Sequence, residues 1–260
     1  MCTVTWLRSN DGYELLCNRD ERHTRLPGAA PLQQTQSGVR YIAPLDGNHG
    51  GSWIAVNHFR ISFCLLNRYV TPGSSKDEKK VYRSRGLLLF DLVDAPSVVE
   101  VRERVSGSCL EQYESFTLLA LVPDAPALLL EWSGRQLFHH FNDENFMLLV
   151  SSSYDQRGAE IERRDLFNKM NSERGQSDAE WLHTFHASHL PYRGPYSPCM
   201  HREDASTVSH SCVRVAGERI ELSYFSGAPC EQEKSVQKGR QGKSSQTLIL
   251  PTVDELIEVS

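Results

Sequence analysis

Cys2 is the residue whose type and position best suit catalysis. Removal of the initiator Met1, which is usual before a small residue, would leave Cys2 with both a thiol and a free α-amine. A free thiol has a pKa near ~8.5 and is nucleophilic only as thiolate, whereas an α-amine of pKa about 7.7–8.0 can accept its proton. One residue could then supply nucleophile and base for acyl transfer. The alternative is a small residue with no role beyond starting the chain.

A predicted hairpin brings charged groups to Cys2. β-like runs flank the turn sequence Ser-Asn-Asp-Gly at residues 9–12. Folding about this turn pairs positions whose numbers sum to about 21, which puts Arg19 opposite Cys2 and Asp20 beside it. Arg19 could hold a thiolate or a substrate oxygen, and Asp20 could orient the α-ammonium or bind a substrate amine. The alternative for this charged stretch is a solvated strand end.

Three motifs in the first third of the chain carry a family resemblance. They are Met1-Cys2-Thr3, Asn18-Arg19-Asp20-Glu21 and Gly50-Gly51-Ser52-Trp53-Ile54. In this order they resemble the NRDE family, also called Transport and Golgi organisation 2, and weaker similarity follows at residues 64–69 and 116–120. The resemblance implies the fold of N-terminal-nucleophile hydrolases, an α/β four-layer α-β-β-α sandwich. A haem-trafficking role has been proposed for some members.

The resemblance also implies further site residues. Asn18 and Glu21 complete the tetrad and are assigned to binding, and Asn67 is placed near the nucleophile. An Asn amide is a good neutral donor to a developing oxyanion, although Asn67 could equally be a residue that ends a strand. Ser152 stands where the family has an Asn, so its hydroxyl could donate instead.

The last third of the chain offers weaker candidates. Thr207 and Ser209 alternate with Val208 on a predicted strand, so both should face one side and could line a polar site. The histidines and cysteines of residues 183–210 match no familiar zinc spacing, so no metal site is predicted. They are nevertheless the region where axial ligands for haem could be sought, His186 and His201 among them.

Hydrophobic periodicity predicts two pairs of helices outside two stacked sheets. The first pair covers residues 85–93 and 96–105, and the second covers residues 160–170 and 177–189. The charged residues at the start of the second pair, among them Arg163, are expected to face solvent. Together these helices would form the outer layers of the sandwich.

Composition narrows the class of protein. Of the 260 residues, 39% are hydrophobic and 23% charged, and without a repeat or a second core they are predicted to form one NRDE-type domain, residues 1–260. The formal charge of −5 disfavours nucleic acid as a partner. No apolar stretch approaches ~18 residues and no signal pattern is present, so no membrane span is expected and the cytoplasm is the default location.

The seven cysteines are scattered and lack a Cys-x-x-Cys pair, which predicts neither a disulfide framework nor a zinc site. Cys17, Cys64 and Cys212 lie in apolar runs and are assigned to the core. Cys199 and Cys230 lie in polar loops and could be exposed.

Two functions follow from these patterns. The first is hydrolysis of an unidentified amide by Cys2, with Arg19, Asp20 and Asn67 positioning and stabilising charge. The second is non-catalytic binding or trafficking of haem or another apolar ligand in the same cleft. Both take a small molecule as partner, and neither calls for a resident cofactor.

Overall fold

Two antiparallel β-sheets stack face to face at the centre of the fold. The computed structural model describes residues 2–69, 81–173, 179–232 and 245–250. Within these residues the first sheet contains, in spatial order, β10 (Phe146–Ser151), β1 (Cys2–Ser9), β2 (Gly12–Arg22), β11 (Ala205–Ala216), β12 (Arg219–Phe225) and β13 (Ser245–Leu250). The second contains β3 (Ala29–Gln36), β4 (Val39–Leu45), β5 (Ile54–Asn57), β6 (Ser62–Asn67), β7 (Phe116–Leu121), β8 (Ala127–Trp132) and β9 (Leu137–Asn142).

Helices cover the outer face of each sheet. The described residues form α1 (Arg85–Phe90), α2 (Val98–Ser106), α3 (Gln156–Glu173) and α4 (Glu180–Ala187). The first two pack on the second sheet and the last two on the first sheet, each through its own apolar core. Both predicted helix pairs and the four-layer α-β-β-α sandwich are confirmed. None of these helices is long and apolar enough to span a membrane.

The alternation of β1 decides which way Cys2 faces. Val4 and Trp6 are buried in the core between the two sheets, and Cys2 belongs to the same cluster. Thr3 and Thr5 point to the opposite side, where their hydroxyls hydrogen-bond side chains of α3 and α4. Because successive side chains of a strand point to opposite faces, Cys2 faces the second sheet and the helices lie behind it.

The β1–β2 hairpin has the predicted register. Cys2 pairs with Arg19, and the pairing continues regularly to Ser9 opposite Gly12. A Cβ atom on Gly12 would lie 1.8 Å from the carbonyl oxygen of Val215, so only glycine allows β11 to approach this end of the hairpin.

Residues 22–50 form two β-strands, although their composition is typical of a loop. A composition rich in Gly, Pro, Gln and Thr predicts a long connection, functional or locally folded, which the family resemblance implies would lie over the mouth of the site. These residues form the β3–β4 hairpin, which extends the second sheet through a turn at Ser37 and Gly38, both with positive φ. Most of β3 is exposed or half-buried, so its apolar alternation is weak. The end of the segment does reach the site, through Asp46 and His49.

Two expectations about burial are wrong. Arg163 is not on a solvated face: it lies with Ala159 and Phe167 on the inner side of α3 and is 1% exposed. Cys199 is fully buried, whereas Cys230 is half-buried. Burial in each case comes from contacts with chain segments distant in sequence, which local polarity does not reveal.

Candidate active site

A cleft of about 250 Å³ lies beside Cys2 and is bounded by both sheets and the start of α1. Four of the predicted site residues line it: Cys2, Arg19, Glu21 and Asn67. The structure places the other five outside this lining: Asn18, Asp20, Ser152, Thr207 and Ser209. The predicted site residues therefore divide between the cleft and the framework behind it.

The Cys2 thiol reaches the cleft from a mostly buried position, with 6% of the residue exposed. A hydrogen bond with the Cys17 thiol and burial together raise the pKa of the Cys2 thiol well above its ordinary value. The thiol is thus protonated at neutral pH. It can act as a nucleophile only if a neighbouring base removes its proton.

Arg19 is held by a carboxylate and an aromatic ring. Its Nη2 lies 2.5 Å from Asp46 Oδ2, and its guanidinium carbon lies 4.2 Å from the centre of the Trp53 ring. Arg25 binds the same carboxylate at 2.8 Å. Burial would raise the pKa of Asp46, but the two guanidinium groups prevail and lower it. The Arg19 side chain is therefore held in place by an ion pair where it lines the cleft.

Asp20 lies behind the cleft in a buried polar cluster. Thr207 Oγ1 donates to Asp20 Oδ1 at 2.6 Å, and Arg163 Nη1 lies 3.7 Å from Asp20 Oδ2. Burial raises the pKa of Asp20, while the charge of Arg163 opposes that rise. Arg163 also donates to Thr3 Oγ1 at 2.5 Å. These contacts fix the carboxylate next to the start of β1, where Cys2 begins.

Asn18 joins β2 to α4 through buried hydrogen bonds. Its Nδ2 donates to the carbonyl oxygens of His186 at 2.8 Å and Pro198 at 2.9 Å. Its Oδ1 hydrogen-bonds His210 Nδ1 at 2.8 Å, and Asn18 is fully buried. These contacts use both ends of the amide, so the side chain joins β2 to α4 and the following loop.

Ser151, rather than Ser152, lies directly opposite Cys2. The β1–β10 register pairs Cys2 with Ser151, whose Oγ donates to the Asn67 carbonyl oxygen at 2.5 Å. Ser152 Oγ instead accepts from the backbone N–H groups before α3. Ser152 lies just beyond the end of β10, and the role of its hydroxyl as a donor in the site stays a prediction.

A β-bulge separates Thr207 from Ser209. Thr207 pairs with Asp20 and Ser209 pairs with Arg19, so an extra residue, Val208, interrupts the register between them. The prediction that both hydroxyls share one face is wrong, because a bulge breaks strict alternation. Thr207 holds Asp20, while Ser209 lies level with Arg19.

The histidines considered for haem lie outside the lining of the cleft beside Cys2. His186 is fully buried, and its Nε2 hydrogen-bonds the Thr5 hydroxyl at 2.9 Å. Burial lowers the pKa of His186 well below its ordinary value and that of His210 to about 3, so both rings are neutral at pH 7. His201 lies between two cysteine thiols outside the cleft.

Residues that build the site were missed in the sequence for separate reasons. Asp46 follows β4, in a segment where no strand is predicted, and Trp53 belongs to the family motif but was not assigned to the site. Ser151 is brought opposite Cys2 by the β1–β10 pairing, which joins segments distant in sequence. Arg163 had a usable signal, since its spacing of four from both Ala159 and Phe167 places it on the apolar stripe of a helix.

Solved structures that share this fold include an amidase, a hydrolase and an acylase. The N-acylethanolamine-hydrolyzing acid amidase ortholog of Caenorhabditis elegans is 14% identical, with a TM-score of 0.56 over 96% of this chain and 100% of that one. The C2A mutant of conjugated bile acid hydrolase from Clostridium perfringens is 11% identical, with a TM-score of 0.55 over 96% and 97%. Penicillin V acylase from Agrobacterium tumefaciens is 10% identical, with a TM-score of 0.51 over 87% and 83%.

This likeness establishes the N-terminal-nucleophile hydrolase fold. A search of curated protein sequences found no match to this chain. The family model described as Transport and Golgi organisation 2 matches residues 1–195 of the 260. The chain belongs to the Transport and Golgi organisation 2 family.

Proposed function

We propose that this protein is an N-terminal-cysteine hydrolase that cleaves an amide C–N bond of a small molecule. The observation that carries the proposal is the Cys2 thiol, which lines a cleft together with Arg19 and Asn67. The buried carboxylate of Asp20 lies on the neighbouring strand, one residue past the partner of Cys2. The fold shared with amidases agrees with this chemistry, and the site itself carries the argument.

The first half of the reaction is acylation of Cys2. Once Met1 is removed, the neutral α-amine of Cys2 takes the thiol proton, and the thiolate attacks the substrate carbonyl carbon. The tetrahedral oxyanion collapses to a thioester while the C–N bond breaks, and the α-ammonium returns its proton to the departing nitrogen. Asp20 stabilises the α-ammonium by its negative charge, which its contacts with Thr207 and Arg163 hold in place.

The second half is hydrolysis of the thioester. The α-amine, now neutral, takes a proton from water as the water oxygen attacks the thioester carbonyl. The C–S bond then breaks, the acid product leaves and the thiol regains its proton. Each cycle consumes one water and restores Cys2, so the proposal requires no metal and no redox partner.

Asn67 is the proposed donor to the oxyanion. Its Nδ2 donates to the Tyr69 hydroxyl at 3.1 Å, and its backbone carbonyl is fixed by Ser151. An Asn amide has two N–H bonds, so the second can point to a substrate oxygen in the cleft. A preorganised neutral donor of this kind stabilises the charge that develops during attack.

The charge of the cleft favours a substrate with an anionic group. Seven charged side chains line it: Arg19, Arg25, Arg83, Arg85, Glu21, Asp46 and Glu114. Each of the three carboxylates is paired with an arginine of the same lining. Arg83 pairs instead with Asp91, which lies outside the lining. Because Asp91 is half-exposed and lies outside the lining, Arg83 is the arginine that an acyl or amine part bearing a carboxylate could recruit from its present partner.

The test combines intact-mass measurement with a substrate panel. N-acyl amino acids, matched neutral N-acyl amides and lactams are incubated with wild-type protein of confirmed N-terminal mass. Cys2→Ala should abolish turnover, and Cys2→Ser should retain little of it. Insertion of Lys between Met1 and Cys2 keeps the thiol but removes its free amine, and it should be as inactive as Cys2→Ala. Cys109→Ala, an exposed cysteine change, is the matched control. Turnover that survives Cys2→Ala would refute the proposal.

A further inference from the structure

Four potential metal ligands converge on one point outside the lining of the cleft. Three lie in the segment after α4, at positions 189, 199 and 201, and the fourth lies in the short helical turn Pro229–Glu231. The ligand atoms of these two imidazoles and two thiols all lie within 4.8 Å of one another. They are contributed by His189, Cys199, His201 and Cys230.

The distances match a tetrahedral metal. His201 Nε2 lies 3.4 Å from Cys199 Sγ and 3.5 Å from Cys230 Sγ. Zinc bonds of ~2.3 Å to sulfur and ~2.0–2.1 Å to nitrogen, at a tetrahedral angle, put neighbouring S and N ligands about 3.5 Å apart. Two edges of the coordination tetrahedron therefore already have the required length.

His189 supplies an independent observation. Its Nε2 is buried and has no well-aligned hydrogen-bond partner among the described residues. A buried ring nitrogen left without such a partner costs free energy, which coordination of a metal would offset. The His189 and His201 rings lie 5.1 Å apart between centroids, close enough for one ion to contact both.

We propose a structural zinc site at this point, with the ligands His189, Cys199, His201 and Cys230. Two thiolates and two imidazoles form a donor set that zinc prefers over magnesium or calcium, which favour oxygen. Four protein ligands close the coordination sphere and leave no position for a substrate, so the metal is structural rather than catalytic. The site is separate from Cys2 and does not depend on the proposed hydrolysis.

Binding of zinc requires defined proton changes. Both thiols lose their protons on coordination, and each imidazole binds as the neutral ring. Coordination through Nε2 leaves the proton of His201 on Nδ1. The exposed Arg193 guanidinium now lies 3.3 Å from that Nδ1 and would have to turn towards solvent.

The metal would fix the loop that holds Asp20. Met200, between two of the ligands, donates its backbone N–H to Thr207 Oγ1 at 2.9 Å and accepts from the Thr207 N–H at 2.8 Å. Thr207 in turn donates to Asp20. A zinc ion bound by residues 199 and 201 would thus fix the backbone on both sides of Met200, and with it the hydrogen bonds from Met200 to Thr207 and from Thr207 to Asp20.

Metal content and cobalt spectroscopy test the proposal on the full chain. Protein expressed with added zinc and desalted should retain about one equivalent of zinc, as a closed four-ligand site predicts. After chelation, addition of Co²⁺ should produce thiolate-to-cobalt charge transfer and the visible bands of tetrahedral cobalt. Zinc below about a tenth of an equivalent, together with octahedral cobalt, would overturn the proposal.

Variants locate the metal. Cys230→Ser and His201→Asn should each weaken zinc affinity by more than the ~10–100-fold typical of losing an outer-shell partner, and the cobalt bands should change. Cys109→Ser and His140→Ala, both exposed and away from the cluster, should leave zinc content unchanged. Equal zinc content in Cys230→Ser and wild type, or a Cys199–Cys230 disulfide in protein purified under reducing conditions, would contradict the site.

Discussion

Replacement of Arg163 by Met should strongly destabilise the fold through Asp20. Both side chains are almost completely buried, and their charged atoms lie 3.7 Å apart. Met has a similar length and is apolar, so it fills the space without supplying charge. The substitution leaves the Asp20 carboxylate buried with its cationic neighbour removed, and it also breaks the hydrogen bond to Thr3.

The cost should be about 3–5 kcal/mol at pH 7, the range for removing one partner of a buried ion pair. At roughly 2–4 °C per kcal/mol, the midpoint of thermal unfolding should fall by about 6–20 °C. The neighbouring Arg164 provides the control, because its side chain is 42% exposed and pairs with Glu160 four residues earlier. Arg164→Met should cost no more than about 0.5 kcal/mol.

The effect should depend on pH in a defined direction. Burial already raises the pKa of Asp20, and loss of Arg163 removes a charge that opposes this rise. A carboxyl whose folded pKa is raised destabilises the fold above its unfolded pKa of about 3.9, and increasingly so as pH rises through the folded pKa. The cost of Arg163→Met should therefore be smaller at pH 4 than at pH 7.

Urea unfolding followed by circular dichroism measures these differences at both pH values. Asp20→Asn added to Arg163→Met should recover at least about 1 kcal/mol at pH 7, because it removes the stranded charge. The reasoning would be refuted if Arg163→Met cost no more than Arg164→Met, or if its cost were the same at pH 4 and pH 7 with no recovery by Asp20→Asn.

Three further perturbations test other parts of the fold and site. Asn18→Ala should lower the free energy of unfolding by about 2–4 kcal/mol, since three buried hydrogen bonds are lost. The control Asn145→Ala, at an exposed position, should change it little. Equal urea midpoints for the two variants would contradict the role of Asn18 in joining β2 to α4. Gly51→Ala should lower the free energy of unfolding by about 1–3 kcal/mol, because its Cβ would lie 2.5 Å from the Gly86 carbonyl carbon. Gly107→Ala should be tolerated, because its Cβ would lie 3.4 Å from the nearest atom. Similar losses of stability in thermal unfolding of the two variants would argue against the close packing of Gly51 on Gly86. Iodoacetamide should modify Cys2 of the Met1-processed protein below pH 8 and ahead of Cys17 and Cys64, as peptide mapping can show. The Lys-insertion variant should react slowly, because burial and Cys17 raise the pKa of the thiol and no α-amine of its own residue can take the proton; equal rates would contradict the role of the amine.

Local signals account for the parts of this fold that the sequence predicts well. The turn at residues 9–12 fixes the register of the first hairpin, so the pairing of Cys2 with Arg19 follows from counting alone. Helix α2 is equally local: Ser97 accepts a hydrogen bond from the Glu100 N–H at its start, and valines at regular spacing face the core. These features depend on residues within one element or one turn.

Features that depend on contacts between distant segments were not predictable in the same way. Arg163 and Asp20 meet only when α3 packs on the first sheet. The bulge at Val208 puts the side chains of Thr207 and Ser209 on opposite faces of the sheet, and no residue type in this stretch signals it. The cluster of histidines and cysteines draws Cys230 from 29 residues beyond His201, a separation that hides its spacing from inspection of the sequence.

The most direct measurement of Cys2 as a nucleophile is the mass of the protein after reaction with a β-lactone. Attack by a thiolate opens the lactone without releasing a leaving group, so the Met1-processed protein should gain the full mass of the probe, and peptide mapping should place it on Cys2. Cys2→Ala and the variant with Lys inserted before Cys2 should remain unmodified. Modification of another residue, or equal labelling of the insertion variant, would contradict catalysis by an amine-activated Cys2.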